Sequence, residues 1–229
     1  MNILEFFLTN KKVKEIIDSN RITISESCDG FNLMLMAADF MSGNSTLFVV
    51  LPTLYLAQRY YDDMCRLINY DDVLFFPADE LISAEMISAS GDFLYERIET
   101  LYTLIEGKKK LVIMNMHAAI KYEMNKSKWA DACFYLNKNE TIETNSLVNK
   151  LIINGYLPVY QVTKTGEFSK RGSIIDIFPL GYDNPIRLDF FDDDIETIKE
   201  FDTETQRSIK QVDKVLILPV SEFLYDEND

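Results

Sequence analysis

Histidine is nearly missing from this chain: His117 is the sole copy in 229 residues. One imidazole cannot build a histidine-rich metal site, and it argues against a Ser-His-Asp triad. His117 follows the apolar run LVIMNM, near the start of an expected helix, and reads as a structural histidine with its hydrogen bonds satisfied. Cysteine is scarce as well. Cys28, Cys65 and Cys133 are odd in number, far apart and never in a CxxC pair, which reads as reduced, mostly buried thiols of a cytoplasmic protein. No apolar run approaches the roughly 18 residues that a membrane span requires. The opening stretch MNILEFFLTNKKVKEII places lysine after its apolar residues, the wrong order for a signal peptide. Positive charge is also short. Lys and Arg total 23 against 37 Asp and Glu, a net charge of -14. Phosphate repels such a surface, so nucleic-acid binding as the main task is disfavoured and a basic partner surface is favoured. Lys108–Lys110 is the only run of three basic residues and reads as the solvated end of a helix.

Nucleotide chemistry is missing too. A P-loop needs glycine backbone around phosphate, a lysine on the β/γ phosphates and Ser/Thr for Mg²⁺. Neither GK[ST] nor GxGxxG occurs. Cys28-Asp29-Gly30-Phe31-Asn32 opens the first buried helix, where such a loop belongs, with one glycine, an acid and no lysine. Ser42-Gly43-Asn44-Ser45-Thr46 has the small residues but precedes a strand instead of following one. The acidic run Asp192–Asp194 reads as a tight turn with solvated carboxylates rather than a metal site.

What is present divides into two patterns. The first half predicts one or two short helices over 3–17, a short strand at 22–24 and a buried helix from Asp29 to a stop at Gly43. The run at Leu47–Leu51 reads as a central strand covered on both faces, and Thr53 as the cap of a helix over 54–68 with Leu54, Ala57, Tyr61, Met64, Leu67 and Ile68 on one side. A strand at Val73–Phe76, a loop with a short helix over 78–90, a helix capped by Asp92, a strand at Leu111–Met114 and a short helix over 118–124 complete a parallel α/β unit. The Lys- and Asn-rich stretch 121–131 reads as the boundary. Beyond it come a short strand at Ala132–Leu136, a helix over Thr144–Asn154 with Leu147, Val148, Leu151 and Ile152 inward and Gly155 as its stop, and a strand at Leu157–Val162. The densest signal is then an antiparallel meander: runs at Ser173–Phe178, Ile186–Phe191 and Ile195–Phe201, separated by Gly, Pro, Asn and Asp. In its middle run, alternation puts Ile186, Leu188 and Phe190 on a core face, and Arg187, Asp189 and Phe191 on the other. An Arg beside an exposed aromatic has the composition of a binding anchor, against the alternative of a solvated face with Phe191 tucked under a loop.

The stretches GEFSKRGSIIDIFP (166–179), IRLDFFDDDIETIKEFD (186–202), TQRS (205–208) and LPVSEF (218–223) closely resemble the N-terminal part of the bacterial transcription-repair coupling factor family, Mfd. They resemble more distantly the matching part of the excision-repair protein UvrB. VVLPT (49–53), FFPADE (75–80) and LVIMNMHAA (111–119) fit the same family more loosely, so the resemblance covers most of the chain. It implies a UvrB-like module: a degenerate P-loop-type, RecA-like domain over 1–125 that lacks a nucleotide site, an α+β UvrA-binding domain with a mostly antiparallel sheet over 126–212, and a segment, 213–229, returning toward the first. It implies UvrA as partner, with Arg171, Arg187 and Phe191 at the family's contacting positions; whether Arg171 crosses the interface or orders the loop before Gly172 stays open. RNA polymerase, DNA, ATP and Mg would be engaged by domains that this chain lacks, so the fragment is expected to have no cofactor, no membrane contact and no enzymatic activity. Two other readings stand beside this one: a nucleotide-binding P-loop ATPase or helicase fragment of UvrB type, which nucleotide binding through Cys28–Asn32 would favour, and a direct DNA-binding module, which salt-sensitive DNA affinity would favour.

Overall fold

Two patterns of hydrophobicity give two compact units, Met1–Lys121 and Tyr122–Asp229. The computed structural model describes residues 3–79, 93–121, 125–222 and 224. The expected short helix within 78–90 and the Asp92 cap lie outside the described residues.

The first unit begins with α1 (Ile3–Leu8), α2 (Lys11–Ile17) and α3 (Asp29–Ser42). Asn10 separates the first two by capping α2 through the Lys12 amide at 2.9 Å. Ile22 and Ile24 form no strand and are exposed. β1 (Leu47–Leu51), α4 (Leu54–Leu67), a 3-10 turn, β2 (Val73–Phe76), α5 (Leu94–Ile105), β3 (Leu111–Asn115) and α6 (Met116–Ile120) follow. The sheet is parallel, in the order β1-β3-β2. The central strand is therefore β3, which is buried along its whole length, and not β1. β1 is an edge strand with Val49 turned to the core and Phe48 and Val50 exposed.

Local chemistry fixes this unit as expected in places and otherwise elsewhere. Thr53 caps α4 by accepting from Leu56 N at 3.2 Å. Gly43 ends α3 from an ordinary φ of -79°, so the stop there is not a left-handed glycine. Lys108 is exposed as expected, but the other two lysines of the run are tied down. Lys109 Nζ donates to the Gly43 carbonyl at 2.7 Å over the Phe40 ring, and Lys110 Nζ binds the Asp71 carbonyl. The buried Asn115 side chain acts as a peptide mimic at the end of β3, accepting from Ala78 N at 2.9 Å and donating to Ala78 O at 2.8 Å. His117 departs from expectation: its Nδ1 is buried and, among the described residues, has no hydrogen-bond partner.

The second unit opens on α7 (Lys126–Ala132), a helix inside the stretch read as a boundary; its polar residues face out while Trp129 is buried. β4 (Phe134–Asn137) and α8 (Thr144–Ile153) follow. Leu147 and Leu151 are fully buried, whereas Ile152 is 44% exposed instead of inward. Gly155 ends α8 at φ 86°, a left-handed conformation that glycine adopts without steric cost. The remaining strands are β5 (Leu157–Pro158), β6 (Glu167–Arg171), β7 (Ile174–Ile177), β8 (Ile186–Phe191), β9 (Asp194–Phe201), β10 (Ser208–Val212) and β11 (Lys214–Ile217). Six of them form one sheet in the order β10-β9-β8-β7-β6-β5, antiparallel except at β5 and β6; β11 pairs antiparallel with β4. Among the described residues no helix is long and apolar enough to cross a membrane.

Candidate docking face

Period-two alternation and strand register together sort the six-stranded sheet into rows. One row runs Phe168, Ile177, Ile186, and the parallel one Ile175, Leu188, Ile198; every member is buried in one cluster with Leu147 and Leu151 of α8. The alternate rows face away from that core. The first runs Ser169, Asp176, Arg187, Lys199, Gln211 across five strands. The second runs Arg171, Ile174, Asp189, Thr197 across four. A register shift between Asp189 and Phe190 follows, and Phe191 then pairs with Asp194 at the tip of the hairpin. Two tight loops hold the geometry. Gly172 (φ 59°) turns β6 into β7, and Asp192 (φ 52°) turns β8 into β9, each supplying the positive φ that such loops demand.

The face is a lattice of alternating charge. Asp176 is 1% exposed. Its Oδ1 accepts from Arg187 Nε at 2.7 Å, and its Oδ2 accepts from Arg187 Nη2 at 2.8 Å and from Arg171 Nη2 at 2.6 Å. Gln206 accepts from Arg187 on the far side, with Oε1 3.2 Å from Nη2, and the Phe201 ring lies 4.4 Å beneath the guanidinium carbon. The hydrogen bond to Asp176 raises the Arg187 pKa above its ordinary value, so this group stays charged. In the next row Asp189 accepts from Lys199 Nζ at 2.7 Å and from Thr197 Oγ1 at 2.5 Å. Burial pushes the Asp189 carboxyl up, but those donors outweigh it and hold the group below the ordinary aspartate range. Phe191 stands beside this lattice, 65% exposed.

The structure thus brings Arg171 and Arg187 onto one carboxylate and leaves Phe191 open on the same face, at the opposite end of β8 from Arg187. The guanidinium fork of Arg187 is spent on Asp176 within the chain; the Arg171 side chain, 40% exposed, keeps donors toward solvent. Asp176 and Gln206 went unread in the sequence. Asp176 sits inside an apolar run, and its partner becomes visible only once register places it opposite Arg187. Among the described residues no group of three or more His, Cys, Asp or Glu is placed to hold a metal ion.

The stretch 134–223, which contains every residue of this face, matches the family model of the UvrB interaction domain. Around the UvrB interaction domain the likeness extends to longer proteins. The transcription-repair-coupling factor of Staphylococcus aureus (strain USA300) is 34% identical over 193 residues, 84% of this chain and 16% of that protein. That of strain bovine RF122 / ET3-1 is 33% identical over the same span. The transcription-repair-coupling factor of Staphylococcus haemolyticus (strain JCSC1435) is 28% identical over 229 residues, 99% of this chain and 20% of that protein. The chain therefore spans about a fifth or less of the length of these relatives.

Proposed function

We propose that this chain is an adaptor: its UvrB interaction domain docks UvrA, and so links a stalled RNA polymerase to nucleotide excision repair. The observation that carries the reading is the exposed Phe191 on the same sheet face as the Arg171–Asp176–Arg187 cluster. An aromatic anchor flanked by arginine is the usual content of an interface hot spot. RNA polymerase, DNA, ATP and Mg belong in this reading to parts of the protein outside the chain, which itself performs no catalysis and works in the cytoplasm.

In this reading the first unit is a P-loop-type fold without a nucleotide site. The start of α3 supports it. Asp29, the first residue of that helix, pairs with Arg59 and accepts from the Tyr60 hydroxyl at 3.1 Å. A carboxylate thus takes the position at the helix N-terminus where a phosphate would need to sit, and its charge repels one.

The test is calorimetry of the chain with purified UvrA. Phe191→Ala should weaken binding by about 2 kcal/mol or more, roughly thirtyfold, with an unchanged melting temperature, because Phe191 contributes little to the core. Arg187→Ala should weaken binding and also lower the melting temperature, because it removes the main partner of a buried acid. Absence of wild-type binding at micromolar concentrations, or full affinity in Phe191→Ala, would remove the docking reading. Nucleotide binding by the isolated chain would revive the ATPase reading.

A further inference from the structure

The acid at the floor of the docking face cannot itself touch a partner, since Asp176 is 1% exposed. It nonetheless determines where two arginines point. Arg171 Nη2 and Arg187 Nη2 share the one oxygen Oδ2, so two like charges are held side by side by the carboxylate between them. Without that charge the two guanidinium groups would repel each other and regain rotamer freedom. The two arginines are not held alike. Arg187 is gripped through two nitrogens, stacked on Phe201 and closed off by Gln206, a residue whose backbone sits at φ 59°. Arg171 is gripped through Nη2 and remains 40% exposed. The cluster carries one net positive charge, and its outward part is Arg171.

We propose that Asp176 is a positioning residue for docking. It orders Arg171 so that the outward donors of that side chain meet an acidic group of the partner, and Arg187 acts by completing the cluster rather than by reaching across. The inference rests on the docking reading above. An arginine already ordered in its bound geometry loses less freedom on association, and a singly positive cluster complements a single partner carboxylate. The location supports a binding role over a merely structural one: the cluster spans the two outward rows, Asp176 and Arg187 in one and Arg171 with Ile174 and Asp189 in the other, on the face that carries the exposed Phe191.

The test uses the whole chain titrated into purified UvrA, with Phe191→Ala as the control for the face. Asp176→Asn keeps the shape and removes the charge; it should weaken binding about tenfold or more. Arg171→Ala should do the same, and the double variant should be less than about twofold weaker than either, because the acid acts through that arginine. A structural role predicts instead that the two losses multiply. Gln206→Gly suits the left-handed backbone and leaves no buried charge unpaired, so it keeps the question open should Asp176→Asn misfold. It should weaken binding about threefold at an unchanged melting temperature. A second readout is the Arg187 Nε–H resonance of the free chain, protected from exchange in the wild type and exchanging rapidly in Asp176→Asn. If Phe191→Ala is weakened while Asp176→Asn, folded, and Gln206→Gly bind like the wild type, the positioning role is overturned and the docking face survives. If Phe191→Ala also binds like the wild type, or the wild type does not bind, the docking reading itself has failed.

Discussion

At the scale of single residues, the docking face is controlled by how each charge is partnered. Asp189 gives a test in pH. Its carboxyl is held below the ordinary aspartate range despite burial, because Lys199 and Thr197 donate to it. A carboxylate with a depressed folded pKa stabilises the native state above the unfolded pKa, about 3.9, and that contribution disappears as pH falls through the folded pKa. Asp189→Asn should therefore melt below the wild type at pH 7, and the gap should narrow as pH falls below the ordinary aspartate range and through the folded pKa. Thermal melts across that range check it; a gap that stays constant with pH would show that shape, not charge, is what the substitution removes. This scale is also where the sequence was most and least informative. Arg187 and Phe191 were legible because alternation with period two needs no knowledge of neighbouring strands. Asp176 was not. An aspartate between two isoleucines looks like an interruption of a core strand until its cross-strand partner is known, and register is a non-local property.

Strand β8 shows at the scale of elements what local pattern can and cannot specify. Its bounds, its core face and its turns were all readable, because IRLDFF alternates cleanly and is flanked by Pro185 and by Asp192–Asp194. Leu188 is the test of that core face. It is fully buried and packed in the cluster that includes Leu147, Ile175 and Ile198. Leu188→Ala should destabilise the second unit by about 2–5 kcal/mol through lost burial and a cavity. Denaturant melts of this variant beside Phe191→Ala should separate sharply, since two side chains of one strand serve opposite faces; equal losses would mean that the strand's faces are misassigned. Where elements were misread, the reasons are physical. The stretch Lys126–Ala132 is polar by composition yet helical, because the burial of Trp129 anchors it. LFVVL at β1 is apolar throughout, which cannot distinguish a central strand from an edge strand whose outer face is apolar; the order β1-β3-β2 decides that. β6 and β10 were hidden because EFSKR and SIKQV carry too many polar residues to stand out from loop.

For the molecule as a whole, the division of labour follows from where the cores lie. One buried cluster draws only on residues 136–217, and another only on residues 4–113. The rows of the docking face and Phe191 all lie in the stretch of chain that builds the first of these, between Ser169 and Gln211. A sheet with its own core can present its outer face without help from a second domain. A fragment of residues 125–229 is therefore expected to fold alone and to bind purified UvrA within about twofold of the whole chain, while residues 1–121 alone should not bind. Circular dichroism establishes the folding and calorimetry the affinity. A fragment that folds but binds ten times more weakly would place part of the recognition in the parallel α/β unit. The same experiment tests how the acidic balance is used. The whole chain carries -14, yet the docking cluster carries one net positive charge, a local exception that global charge conceals. If an acidic partner group approaches Arg171, removing residues 1–121 also removes net negative charge and should raise the association rate at low salt. That increase should vanish at about 0.5 M salt, where screening shortens the reach of the field to a few ångströms.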